Sequence, residues 1–176
     1  MDKQALSIVL IFHVVAVMCT VSPVLAREDN IVSTNGLGSV LACSLTTNRF
    51  SIGDHIVLAL SLTNSVEGVV QTSANPVFGT YKIKVSHADG RSVALTETGK
   101  MALSYNAFRK GERQGPLRLR KGESVAHRIE VASLFDMTDP GEYRIDVSTS
   151  FVRIKGEKII KGELNLPTIP ILIIRE

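Results

Sequence analysis

Apolar and polar residues alternate with a period of two over much of this chain. Across 55–63, Ile56, Leu58, Leu60 and Leu62 alternate with His55, Val57, Ala59, Ser61 and Thr63. That is the pattern of a half-buried strand, whereas a helix would place apolar residues three and four apart. From Val40, Leu41, Cys43 and Leu45 share one face and Ala42, Ser44 and Thr46 the other. Later, Tyr81, Ile83 and Val85 alternate with Lys82, Lys84 and Ser86. Further short strands are expected near Met101 to Phe108, Leu117 to Arg120 and Val125 to Val131, and longer ones over Glu142 to Ile154 and Leu164 to Ile174. Turn signals such as Gly99-Lys100, Lys121-Gly122, Pro140-Gly141 and Lys155-Gly156 punctuate them at sandwich-like spacing. Pro167 and Pro170 cannot donate to a ladder, so the last strand should be an edge or carry a bulge there. The pattern predicts an all-β sandwich of about seven to nine antiparallel strands.

Register selects one turn type. At Asp89-Gly90 a two-residue loop would set Ser86 opposite Val93 and join a wet face to a core face. A three-residue loop, Ala88 to Gly90, pairs Val85 with Val93 and Ile83 with Leu95, which keeps apolar residues together. Gly90 is therefore expected in the left-handed conformation, forming a bulge.

The amino-terminal pattern is different. Ala5 to Val17 is almost wholly apolar, Pro23 breaks it, and a small-residue exit ends at Ala26, just before Arg27, Glu28 and Asp29. This reads as a signal peptide over 1–26. The run reaches the ~20 residues of a membrane span only by including Cys19, Thr20, Ser22 and Pro23. A lipidated Cys19 would want a small residue before it, where Met18 stands. Residues 27–39 are polar and glycine-bearing, a flexible leader with room for one short strand, and 40–176 form the sandwich domain. The net charge of +3 and pI near 9.0 come from interspersed charges of both signs, so no nucleic-acid surface is expected. No second apolar run reaches membrane length, so no span is expected after cleavage. Loss of Cys19 leaves Cys43 alone and allows no intramolecular disulfide.

One motif has structural specificity. Asp139-Pro140-Gly141-Glu142-Tyr143-Arg144-Ile145 follows D-x-G-x-Y-x-φ, where φ is apolar. It resembles the start of strand F in immunoglobulin-like domains of secreted bacterial proteins, where the tyrosine hydroxyl bonds back to the chain at a corner. Pro140-Gly141 suits a type II turn. Antibody domains carry a cysteine two residues past that tyrosine, and here it is Ile145, whose partner would fall among Leu58, Leu60 and Leu62. The stretch Leu119 to Met137 is similar to the approach to this corner in non-catalytic domains attached to deuterolysin-like zinc peptidases. The resemblance implies a fold and not an activity, since no H-E-x-x-H is present. Asp139, Gly141, Tyr143 and Gly90 are thus expected to be structural.

Candidate chemistry is sparse. His55, His87 and His127 have no metal-ligand spacing, so no metal site is expected. Asp136, Asp139 and Glu142 read as turn formers rather than calcium ligands. Cys43 reads as a buried structural thiol. Serine-hydrolase, phosphate-loop and dinucleotide signatures are missing, so neither catalytic residues nor a cofactor are expected. The stretch 109–121 gathers Arg109, Lys110, Arg113, Arg118, Arg120 and Lys121 against Glu112, a solvated loop or a surface for acidic glycans, lipopolysaccharide or an acidic protein face. Asn75-Pro76-Val77-Phe78-Gly79 resembles the N-P-x-x-G loop of chagasin-type cysteine-protease inhibitors, with 111–115 as a possible second loop. That family's Arg-Pro-aromatic loop has no counterpart at Ser150-Phe151-Val152-Arg153.

The sequence therefore predicts an exported, non-enzymatic immunoglobulin-like domain that binds a protein or an acidic glycan through loops or a sheet edge. An inhibitor of papain-like proteases, or an accessory domain of a separately encoded enzyme, are the alternatives. Amino-terminal sequencing of the secreted chain should begin at or near Arg27. A mature chain that retains Met1 would contradict the export reading.

Overall fold

A computed structural model describes residues 30–75, 77–108 and 115–175; the expected signal peptide lies outside them. Among the described residues the strands are β1 (Asn30–Gly36), β2 (Ser39–Leu45), β3 (Arg49–Ser51), β4 (Val57–Asn64), β5 (Val69–Thr72), β6 (Tyr81–His87), β7 (Leu117–Leu119), β8 (Ser124–Glu130), β9 (Gly141–Lys155), β10 (Lys158–Asn165) and β11 (Ile169–Ile174). Helix α1 (Glu97–Phe108) lies between β6 and β7, and α2 (Val131–Leu134) between β8 and β9. One sheet is ordered β1-β2-β4-β8 and the other is built around β9. Pairing is antiparallel apart from β3 with β11.

Strand β9 organises the second sheet. On one side it pairs with β6 over Tyr143–Thr149 and with β5 over Val152–Ile154, and on the other with β11 and β10. Its inward residues Tyr143, Ile145, Val147 and Phe151 are buried, and they meet Leu58, Leu60 and Leu62 of β4 and Leu41 and Cys43 of β2 in one core. Each fully buried aliphatic side chain contributes about 1.5–3 kcal/mol. Tyr81, Ile83 and Val85 face inward while Lys82 and Lys84 are exposed, as their alternation predicts.

Several strands are fragments of longer ones, which is why the count exceeds seven to nine. Gln71 opposes Val152, and Tyr81, ten residues on, opposes Thr149, only three residues back along β9. β5 and β6 are therefore one strand from which seven residues leave the ladder. Between β10 and β11 the register slips by one residue, since Asn165 opposes Ser148 and Ile169 opposes Ile145. Pro167 lies in that slip, where a missing donor costs nothing to the ladder.

Two expectations are corrected. The segment Met101 to Phe108 is helical, in α1, and not a strand. Thr96 caps it: its hydroxyl accepts from the Gly99 N–H at 3.0 Å and donates to the Ser133 carbonyl at 2.6 Å. A Cβ at Gly99 would collide with the Leu134 carbonyl, so glycine lets α1 seat on α2. Met101, Leu103 and Tyr105, whose alternation mimics a strand, are exposed. The leader expected over 27–39 is, from Asn30, strand β1, paired with β2 through a two-residue turn. Leu37 (φ +50°) and Gly38 (φ +74°) both occupy the left-handed region, as a type I′ turn demands.

The corner and the Asp89 turn follow local chemistry. The Tyr143 hydroxyl donates to the Asp139 carbonyl at 2.7 Å, and Gly141 has φ +148°, more open than the roughly +80° of a type II turn. Gly90 has φ +87°, and Val93 N–H donates to the Val85 carbonyl at 2.9 Å, the register of a three-residue loop. Cys43 is a free, buried thiol. Replacing Tyr143 by Phe should lower stability by about 1 kcal/mol, the worth of one such hydrogen bond. Urea unfolding should show a lower midpoint with unchanged slope, and an unaltered midpoint would mean that the corner bond contributes nothing.

Candidate functional site

The residues singled out from the sequence fall on separate elements. Arg109, Lys110 and Arg113 lie outside the described residues. Arg118 is exposed on β7, opposite Gln71. Arg120 is exposed in the next turn, where its N–H donates to Glu123 Oε2 at 2.7 Å. Asn75 and Phe78 belong to the segment that leaves the ladder between β5 and β6. That segment is tied to itself: Thr80 N–H donates to the Asn75 carbonyl at 2.6 Å, and the Thr80 hydroxyl to the Ser73 carbonyl at 2.6 Å. Phe78 has φ +55°, is half-buried, and lies edge-on to Phe135 with ring centroids 6.3 Å apart.

His55, His87 and Asp136 each contact a neighbouring side chain. His55 is 88% exposed, with Nδ1 2.9 Å from Glu130 Oε2, while Glu130 Oε1 accepts from the Ile56 N–H at 3.0 Å. His87 is tilted over Tyr143 with centroids 4.8 Å apart. No group of three metal-ligating side chains occurs among the described residues. Burial pushes the Cys43 thiol up to about 12, so it stays protonated and is no nucleophile at neutral pH. Asp136 Oδ1 accepts from the Thr138 hydroxyl at 2.8 Å, and the Asp139 carbonyl serves the tyrosine corner. A cleft of about 290 Å³ opens beside them, with Ile56, Phe135 and Met137 among its apolar lining and Asp54, His55 and Glu130 among its polar lining.

A different feature stands out along the flank. β8 ends the four-stranded sheet, and among the described residues no strand pairs with its outer edge. Its inward positions are Val125, His127 and Ile129, of which only Ile129 is fully buried. His127 rests edge-on against Tyr81, centroids 5.7 Å apart, which joins the middle of β8 to the start of β6. Val77, bridged to Tyr81, and Leu117 on β7 are likewise only partly buried. The core therefore does not close along this margin. Tyr81 Oη and His127 Nδ1 are buried without a hydrogen-bond partner among the described residues. Burial pushes the Tyr81 hydroxyl up to about 12 and lowers the His127 imidazole below its ordinary value.

The strand itself was legible from alternation, but its position at an edge was not. The one available signal was a histidine at an inward position, since a polar residue there marks a margin rather than a centre. No family model matches this chain, and a search of curated proteins finds no match either.

His127 makes the stability of the fold depend on pH. Between its ordinary value of 6.5 and its lowered value in the fold, the unfolded chain binds more protons than the native one. Stability should therefore fall as pH drops through that window and level off below it. His127→Phe keeps a ring against Tyr81 and removes the titration. Its urea midpoint should fall less than that of the wild type between about pH 7 and about pH 5. Equal losses in the two proteins would show that His127 does not set this dependence.

Proposed function

We propose that this chain is an exported, non-enzymatic immunoglobulin-like module that binds a protein partner, and that it takes a segment of that partner in extended form along β8. The observation that carries the reading is the state of that edge. β8 is seven residues long, regular, free of proline and glycine, and unpaired on its outer side among the described residues. Proteins usually blunt such edges, because a row of free N–H and C=O groups recruits other strands. Here β3 and β7, at the ends of the second sheet, have three residues each, while β6 and β10 pair with β9 on one side only. The outer edge of β6 is bridged at both ends, Val77 to Tyr81 and Ser86 to Ser92, and β10 carries Gly162 and lies against β1. β1 is as long as β8, but its end is flanked by β10, where Gly36 lies against Leu164.

Strand addition draws affinity from the backbone ladder and specificity from alternate side-chain pockets. A strand laid on β8 would set its inward side chains over Val125, His127 and the half-buried Val77 and Leu117. Arg128 is exposed on the outer face of β8, and Arg118 and Arg120 on or beside β7, which favours acidic residues in the bound segment. The apolar run over 5–17 supports delivery outside the cytoplasm. The inhibitor reading of the Asn75 to Gly79 loop has less support, because Phe78 directs its ring at Phe135.

Selection of displayed heptapeptides on the folded protein, followed by NMR titration of the winners, tests this reading. Peptides of alternating apolar and polar residues should be retained and should shift the amides of 124–130. Winners that shift only 73–80, or immobilised heparin that binds while no peptide does, would contradict it.

A further inference from the structure

The end of the sandwich that carries the β1–β2 and β9–β10 turns combines two features that the fold does not need. The first is exposed aliphatic surface. Leu37 is 51% exposed, Ile159 68% and Ile160 37%. Arg153, the ladder partner of Ile160, ties the two turns to one end of the sandwich: its guanidinium donates to the Leu37 carbonyl at 3.1 Å and the Glu67 carbonyl at 3.0 Å, and Ile159 and Ile160 stand on opposite faces of β10 beside it. Leu37 moreover occupies the left-handed region, where asparagine or glycine is the comfortable residue. A leucine held against its backbone preference, at a turn tip and facing water, is a cost that core packing does not explain.

The second feature is charge. Around these aliphatics stand Arg120, Lys121, Arg153, Lys155, Lys158 and Lys161, against Glu67, Glu123 and Glu157. Glu67 is engaged by Lys121 at 2.8 Å, and Glu123 by the Arg120 N–H. Arg120, Lys155, Lys158 and Lys161 make no ion pair among the described residues. The opposite end is reversed in sign, with Asp54, Asp89, Glu130, Asp136, Asp139 and Glu142 against Arg49, Arg91 and Arg175.

We propose that this basic, aliphatic-tipped end docks on an anionic lipid surface, inserting Leu37, Ile159 and Ile160 at headgroup depth while the lysines and arginines meet lipid phosphates. Exposed aliphatics ringed by cations are the combination that peripheral membrane contact requires, since neither the apolar nor the electrostatic contribution alone holds a protein on a bilayer. An acidic peptide or glycan would use the cations and leave the aliphatics in water. The unequal charge of the two ends orients approach, with the acidic end directed away. The edge of β8 runs between the two ends and stays accessible in this pose; Arg120 borders both surfaces, and the variants tested on vesicles leave it in place.

Co-sedimentation with vesicles of three parts phosphatidylcholine to one part phosphatidylglycerol tests it, with pure phosphatidylcholine as the control. The protein should pellet with the anionic vesicles only, and less so as salt is raised. The double variant Leu37→Asn, Ile159→Thr should fold, because asparagine suits the turn, threonine suits the strand, and the Leu37 carbonyl held by Arg153 is unchanged; a thermal melt checks this. It should bind the anionic vesicles at least about tenfold more weakly, yet elute from immobilised heparin at the wild-type salt concentration. Lys155→Glu with Lys158→Glu should weaken both interactions. Wild-type protein that stays in the supernatant, or a double variant that pellets as well as wild type, would overturn the proposal. Retention on heparin without pelleting would assign the surface to acidic glycans instead.

Discussion

Strand β9 is the constraint on which the rest of the structure depends. Fifteen residues long, it is paired along both edges and presents Tyr143, Ile145, Val147 and Phe151 to the opposite sheet. No disulfide among the described residues ties the sheets together, so their contact is held by aliphatic burial against Leu58, Leu60 and Leu62. The tyrosine corner fixes where β9 begins, and the slip around Pro167 lets β10 and β11 share its second edge. A change that breaks the alternation of β9 would turn its whole apolar set toward water.

Local chemistry made part of this legible in the sequence. Strands such as β4 and β6 announce themselves because one face is wet and the other dry. The loop at Asp89 announces its length because only one register joins like faces. The corner is readable because a tyrosine, a glycine and an aspartate stand at fixed offsets. What stayed hidden depends on partners far along the chain. Met101, Leu103 and Tyr105 alternate as a strand would, but the Thr96 cap and the seat that Gly99 makes on Leu134 decide for a helix. The polar look of 27–39 left room for a short strand but concealed its full pairing with β2, through a turn that sits on a leucine rather than on the asparagine and glycine just before it. The interruption of β5 and β6 shows only in the register against β9.

The candidate site was less legible than the fold for the same reason. Singly, Val125, His127, Val77 and Leu117 are ordinary strand and loop residues. Their significance comes from lying on one margin, which depends on β8 being last in its sheet. Likewise, Leu37 and Ile159 are more than a hundred residues apart in sequence, and the Arg153 contacts together with the flanking of β1 by β10 bring their turns to one end. The two surfaces fit one picture, in which the basic end rests on a membrane and the open flank accepts a strand.

β8 is a well-formed strand with one free side among the described residues. Native-state amide hydrogen exchange measures this residue by residue. Amides of β9 and β4 should exchange only through global unfolding. Along Ser124–Glu130 slow and fast amides should alternate, the slow ones bonded to β4 and the fast ones facing solvent. Uniform protection along β8 would mean that its edge is already covered, and uniform rapid exchange that the strand is not formed. Either result would rule out β8 as a free edge.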